Sequence, residues 1–185
     1  VTGGTGVIGG RLAFRLAGQE GVRVRALVRS AGKAAHLARH GIETVSGDIT
    51  DPATLGAAVA GCQLIFHAAA WVSELGHPQQ VWAINVGGTQ NMVNAALTVA
   101  GLERFVFLSS CAVYGSLQQH NIDETISPRR RGTPYSDSKV AAEALLYEAH
   151  RRQGLPVVAA RASQVYGPGS PQFTIRPVEL IKARK

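Results

Sequence analysis

Cysteine is nearly absent: Cys62 and Cys111 are the only two in 185 residues. Their placement fits neither a disulfide framework nor a thiolate metal site, so a reducing cytoplasm is the expected compartment. Long apolar runs are missing too, and none approaches the roughly 20 residues that cross a bilayer. Repeats, linkers and low-complexity stretches are also lacking. The net charge is +7, yet the basic residues form no stripe with interleaved aromatics. Arg23, Arg25 and Arg29 share one strand-like run, residues 129–131 are a run of arginines, and Lys182, Arg184 and Lys185 lie at the end. That scatter argues against nucleic-acid binding and for a solvated basic surface serving an anionic cofactor or substrate.

What the chain does have is regular alternation. Residues 22–28, 42–46, 64–67, 104–109 and 156–161 read as strands, and 7–17, 31–39, 52–60, 78–99 and 135–153 as helices. Pro52 takes a first helical position, and Asp51 before it suits a cap. Gly87-Gly88 interrupts the longest helical stretch. Strands alternating with helices predict an α/β fold, a doubly wound parallel sheet of the Rossmann type. With 45% apolar residues, the chain can bury a sizeable core. Both ends read as truncated: Val1-Thr2 stand where a first strand belongs, and residues 173–185 begin a new element and stop. The expected division is a main α/β domain over 1–167 and the start of a further segment over 168–185. An exposed apolar patch is expected where the remaining pieces belong.

Thr2-Gly3-Gly4-Thr5-Gly6-Val7-Ile8-Gly9 precedes the first helix. Gly3, Gly6 and Gly9 allow a tight turn, and with Val7 and Ile8 they bring bare N–H groups to a pyrophosphate at a helix N-terminus. A flexible terminus is the plain alternative; the helix and strand that follow count against it. An acid normally closes the second strand of such a fold and holds the adenosine ribose. Here Val28-Arg29-Ser30 offers none. Arg29 instead suits a 2′-phosphate, which favours NADP, with NAD as the alternative. Asp48 and Ile49 follow the third strand at the edge where ligands bind, and the Asp48 carboxylate can accept from the adenine amino group.

Tyr135 and Lys139 lie one turn apart on a helix and share a face. An ammonium beside a phenol favours the phenolate, so Lys139 is expected to bring the Tyr135 pKa down toward neutrality and to bond the nicotinamide ribose. Strand 104–109 ends in Ser109-Ser110, where a hydroxyl can hold a substrate oxygen. Any one of these features has an ordinary reading as helix face or strand end. Together they suggest redox chemistry on an alcohol/carbonyl pair.

The ordered set of motifs resembles the extended short-chain dehydrogenases/reductases, the NAD-dependent epimerase/dehydratase family. The resemblance rests on the glycine turn, Gly47-Asp48-Ile49, Phe66-His67-Ala68-Ala69 and Asn85-Val86-Gly87-Gly88-Thr89. It continues through Ser109 to Gly115, Tyr135-Ser136-Asp137-Ser138-Lys139, and Arg161 through Val165-Tyr166-Gly167-Pro168-Gly169. It implies Ser110, Tyr135 and Lys139 as catalytic residues, His67, Ala68 and Ala69 packed by the cofactor, and Asn85 as a structural residue nearby. It also implies a small-molecule substrate, with a nucleotide sugar among the candidates, no nucleic-acid or membrane partner, and room for a homodimer. Ketoreductase and sugar epimerase both stay open. A non-catalytic NAD(P)-sensing regulator is the alternative, although such proteins usually lose Tyr or Lys. Dehydratases of the family place an Asp-Glu pair after the catalytic Thr; Cys111-Ala112 here argues against 4,6-dehydration.

Overall fold

The computed structural model describes residues 1–72, 77–115 and 121–183. Five parallel strands form the sheet: β1 (Arg25–Val28), β2 (Glu43–Ser46), β3 (Leu64–His67), β4 (Arg104–Ser110) and β5 (Val157–Ala162). β1 pairs with β2, and β3–β4–β5 pair in that order. Thr2 bridges Leu27 on one side and His67 on the other, so Val1-Thr2 sit between β1 and β3. The backbone completes this seam with Leu27 N–H donating to the Val1 carbonyl (3.0 Å) and Thr2 N–H to the Phe66 carbonyl (2.9 Å). The spatial order is therefore β2–β1–(Val1-Thr2)–β3–β4–β5. The strand order reverses at Thr2, where an open α/β sheet leaves a crevice at its carboxyl edge.

Seven helices connect and cover these strands: α1 (Val7–Ala17), α2 (Ala31–Ala38), α3 (Leu55–Val59), α4 (Pro78–Trp82), α5 (Gly88–Leu97), α6 (Pro134–Gln153) and α7 (Arg176–Lys182), counted among the described residues. Alternation along β1 sorts the core into two layers. Ala26 and Val28 pack with Ala13, Ala34 and Leu37 under α1 and α2. Leu27 packs on the opposite face, in a larger cluster with Leu55, Met92, Phe105, Phe107 and Leu146 under α3, α5 and α6. The two phenylalanines are fully buried, each contributing roughly 1.5–3 kcal/mol by transfer from water. On the other side of β3–β5, Leu64 and Val158 are 47% and 45% exposed.

The predicted strands and helices recur with altered bounds. β1 begins at Arg25 rather than residue 22, because Val22 has turned out into solvent. Asp51 caps the tight turn Pro52–Thr54 by accepting from Ala53 N–H at 3.1 Å. The single helix expected over 78–99 is divided by a wide i→i+5 turn at Ala83–Gly87. Such turns widen a helix locally, and this one turns Asn85 into the core.

Candidate active site

The carboxyl edge of the sheet opens into a cleft of about 750 Å³. That volume is in the range of small-molecule and cofactor sites. One end is formed by Gly3, Gly6, Val7, Ile8 and Gly9, with Arg29, Asp48 and Ile49 beside them. Ala68 and Ala69 form a wall. The far end carries Ser110, Tyr135 and Lys139, with Trp71, Val72, Pro171 and Phe173 around them.

The glycine end is shaped to receive backbone-bound phosphate. Gly3 has φ +70°, and a Cβ there would meet the Ala68 backbone at 2.9 Å. A Cβ on Gly9 would lie 2.4 Å from the Gly3 carbonyl oxygen. Helix α1 therefore meets the turn at contact distance only with glycine at both places. Gly6 is its N-cap, with no side-chain cap, and the first turn carries no acid. The leading N–H groups and the positive end of the helix dipole are left for an anion. Beside them, Arg29 Nη1 stands 3.9 Å from Asp48 Oδ2, a loose pair with the arginine side chain 75% exposed. Asp48 Oδ1 accepts from Thr50 N–H and Thr50 O–H, both at 2.9 Å.

The far end is built on β4 and α6. Ser110 closes β4, and its hydroxyl accepts from Ala112 N–H at 3.2 Å, starting the tight turn Cys111–Tyr114. Pro134 opens α6 at a first-turn position, which places Tyr135 at the mouth of the cleft. Asp137, in the same turn, accepts from Arg131 N–H (2.7 Å) and Gly132 N–H (3.0 Å) and fixes the chain entering the helix. Ser136 O–H donates to the Ala112 carbonyl at 2.6 Å, docking α6 on the turn that carries Ser110. Two further polar atoms at the cleft, Ser109 Oγ and Trp71 Nε1, are buried without a partner among the described residues. A ligand in the cleft would give such groups the hydrogen bonds they lack.

Electrostatics at this end depart from the sequence expectation. Burial raises the Tyr135 pKa above its usual value, and the neighbouring Ser110 hydroxyl only partly opposes it. Lys139 does not depress it, because its ammonium is committed elsewhere. Lys139 Nζ donates to the Leu108 carbonyl at 2.7 Å and lies 4.6 Å from the centre of the Phe107 ring. Burial lowers the Lys139 pKa from 10.5 to about 8, and Glu143 opposes the shift. Between about pH 8 and 10.5 the unfolded chain thus holds a proton that the folded protein has released. Stability should rise with pH across that window, by up to about 3 kcal/mol. Urea unfolding at both ends of the window measures the rise in wild type and in Lys139→Met. An equal slope in the variant would rule out Lys139 as its source.

His67 does not line the cleft. It is buried beneath the floor, between Thr2 and Thr89, and burial with the Lys139 charge lowers its pKa to about 3. Sequence reasoning missed Glu143. It is 2% exposed and takes a two-pronged hydrogen bond from Arg161, from Nε to Oε1 at 3.0 Å and from Nη2 to Oε2 at 2.8 Å. Arg161 Nη1 also donates to Tyr114 Oη at 2.6 Å. The network ties α6 and β5 to the turn after Ser110. Its signal in the sequence was an acid four residues beyond Lys139, on the same helical face.

Residues 1–183 match the profile of the NAD dependent epimerase/dehydratase family. A 3-beta-hydroxysteroid dehydrogenase of Mycolicibacterium neoaurum is 34% identical over 192 residues, covering 99% of this chain and 51% of that protein. A 4-hydroxy-2-methyl-3-oxo-4-farnesyl-3,4-dihydroquinoline-1-oxide ketoreductase of Stigmatella aurantiaca is 31% identical, over all of this chain and 55% of that protein. Among solved structures, a dTDP-glucose 4,6-dehydratase from Streptomyces venezuelae with NAD bound superposes with a TM-score of 0.85. It shares 28% identity and is covered over 61% of its length. The chain spans about half the length of the curated relatives it matches.

Proposed function

This chain belongs to the NAD-dependent epimerase/dehydratase family, and from that premise we propose that the whole protein interconverts a secondary alcohol and a ketone using a nicotinamide cofactor. The observation that carries this reading is one cleft lined at one end by the glycine turn and at the other by Ser110, Tyr135 and Lys139. A nicotinamide cofactor bound there supplies or accepts the hydride. Ser110 and Tyr135 would hold the reacting oxygen, and Tyr135 would exchange its proton. Lys139 would swing from the Leu108 carbonyl to bond the ribose, placing its charge by the phenol. Retention of both Tyr135 and Lys139 counts against a purely cofactor-sensing regulator.

The substrate end favours reduction or oxidation in a single pass. Trp71, Val72, Pro171 and Phe173 add apolar surface to a lining that also includes Gln164 and Gln172, a mixture that suits a ring-bearing ketone. The hydroxysteroid dehydrogenase and ketoreductase relatives support the same branch. Dehydration would need an acid pair directly after Ser110, and Cys111 and Ala112 occupy that part of the cleft. A single thiol does not replace a pair of carboxyl groups, and Ala carries no proton to give. Incubating the full-length protein with steroid and other cyclic ketones, nucleotide sugars and reduced cofactor, followed by mass analysis, tests the reading. Gain of two hydrogens by a ketone is expected. Loss of water from a nucleotide sugar would refute it.

NADP is the proposed cofactor. Arg29 is exposed, held only loosely by Asp48, and free to meet a 2′-phosphate at the glycine end. Arg29→Ala should weaken NADP binding by about tenfold or more while leaving NAD nearly unchanged, since a guanidinium–phosphate bond is charge-assisted. Calorimetric titration of both cofactors measures this; equal losses for the two would remove Arg29 from the phosphate role.

A further inference from the structure

We propose that His67 and Thr89 are positioning residues for Tyr135, acting through one directed chain of buried hydrogen bonds. The chain runs from the cleft wall, through the floor of the sheet, to the first turn of α6. That it serves catalysis rests on the reading of Tyr135 as the acid/base.

The direction of every bond follows from groups whose roles are fixed. Thr89 Oγ1 lies 2.6 Å from the Asn85 carbonyl, which only accepts, so the hydroxyl proton points there. Toward His67 Nε2, at 3.1 Å, Thr89 is then an acceptor, and Nε2 must carry the ring proton. At the other end, Ala69 N–H donates to Thr2 Oγ1 at 3.0 Å. The Thr2 proton is thereby free for His67 Nδ1, 2.8 Å away and bare in this tautomer. A neutral imidazole with its proton on Nε2 satisfies both threonines at once, and the lowered pKa of His67 agrees with it.

Beyond Thr89 the chain continues through the wide turn. Asn85 Oδ1 accepts from Trp71 N–H at 2.7 Å, which fixes the amide orientation. Asn85 Nδ2 then donates to the Trp71 carbonyl (3.1 Å) and to Ser138 Oγ (2.9 Å). Ser138 O–H donates to the Tyr135 carbonyl at 2.7 Å. Reversal is blocked at both ends, by a backbone N–H and by backbone carbonyls. His67 thus works from below the floor, outside the lining of the cleft. Its ring and the Thr89 hydroxyl set the position of the wide turn, and that turn sets the helix bearing Tyr135.

Two magnetic-resonance measurements on the full-length protein test the proposal without cofactor or turnover. With nitrogen-15 histidine, the His67 ring should show a protonated Nε2 and a bare Nδ1; the opposite tautomer would overturn the chain. With carbon-13 tyrosine, the Tyr135 ring signal, assigned by its loss in Tyr135→Phe, should shift in Thr89→Val and return in Thr89→Ser. The Tyr166 signal should stay put in both, since that residue is 82% exposed and lies outside the chain. A Tyr135 signal unmoved in a folded Thr89→Val protein would end the positioning role. If Thr89→Val does not fold, Thr89→Ala takes its place, with the same reading of the Tyr135 signal. Failure of the protein to bind NAD or NADP would instead strike the functional reading and leave both measurements valid.

Discussion

Tyr135→Phe is expected to cut turnover of the full-length protein by about 10²–10⁴-fold, the usual worth of a positioned general acid or base. The variant keeps the ring and removes one oxygen. The phenol lines the cleft with Ser110, and burial favours its protonated form. A protonated phenol is the form needed to deliver a proton to a ketone oxygen as hydride arrives. The fold of α6 should survive, because Pro134, Ser136 and Asp137 anchor its first turn without the phenol. Cofactor affinity should change less than threefold or so, because the glycine turn at the other end of the cleft is untouched. Steady-state rates and cofactor titration on the same preparation separate the two effects. Turnover within a few-fold of wild type would mean another group moves the proton.

Glu143→Ala should destabilise the protein by about 3–5 kcal/mol, the usual cost of removing one partner from a buried pair. Ordinary domains have about 5–15 kcal/mol in total, so this is a large share. The substitution strands the Arg161 guanidinium, whose side chain is only 13% exposed, with Tyr114 Oη as its remaining partner. Glu143→Gln, which keeps an acceptor for Arg161, should cost less. Chemical unfolding of the three proteins gives the order; an Ala variant as stable as wild type would show that water reaches Arg161 freely. Because Tyr114 ends the turn that begins after Ser110, the loss should also loosen that turn.

Much of this architecture could be read from the chain directly. Strand and helix periodicity placed β1 to β5 and the main helices, most clearly where an element buries a face, as β1 and β4 do. The glycine turn and the Tyr135–Lys139 spacing marked the two ends of the cleft because their chemistry is local. What escaped depends on distant partners. The wide turn at Asn85 arises from bonds to Trp71 and Ser138, far away in sequence. Glu143 finds Arg161 on another element. The Lys139 ammonium is drawn to the Leu108 carbonyl, which helical spacing alone does not reveal. The family resemblance set His67 beside the cofactor with Ala68 and Ala69, whereas the residue alone reads as a buried strand-end histidine, and the alternation of β3 turns its ring beneath the floor.

The unequal filling of the two faces of the sheet bears on how the protein breathes. Among the described residues, the fully buried part of the layer under α1 and α2 is Ala and Val with Leu37 and Ile42, and Phe14 packs against its edge only partly buried. The opposite layer holds Phe105, Phe107 and Met92. Local opening is governed by the apolar contact it breaks, so amide exchange on the α1–β1–α2 side should outpace exchange in β4 and α6. The glycine turn and Arg29 belong to that looser side. A dinucleotide lying across the cleft would join the two layers through its own span and be repaid in binding linkage for the side it holds shut. The thin packing of one face then becomes the source of a large difference in protection between the free and the loaded protein.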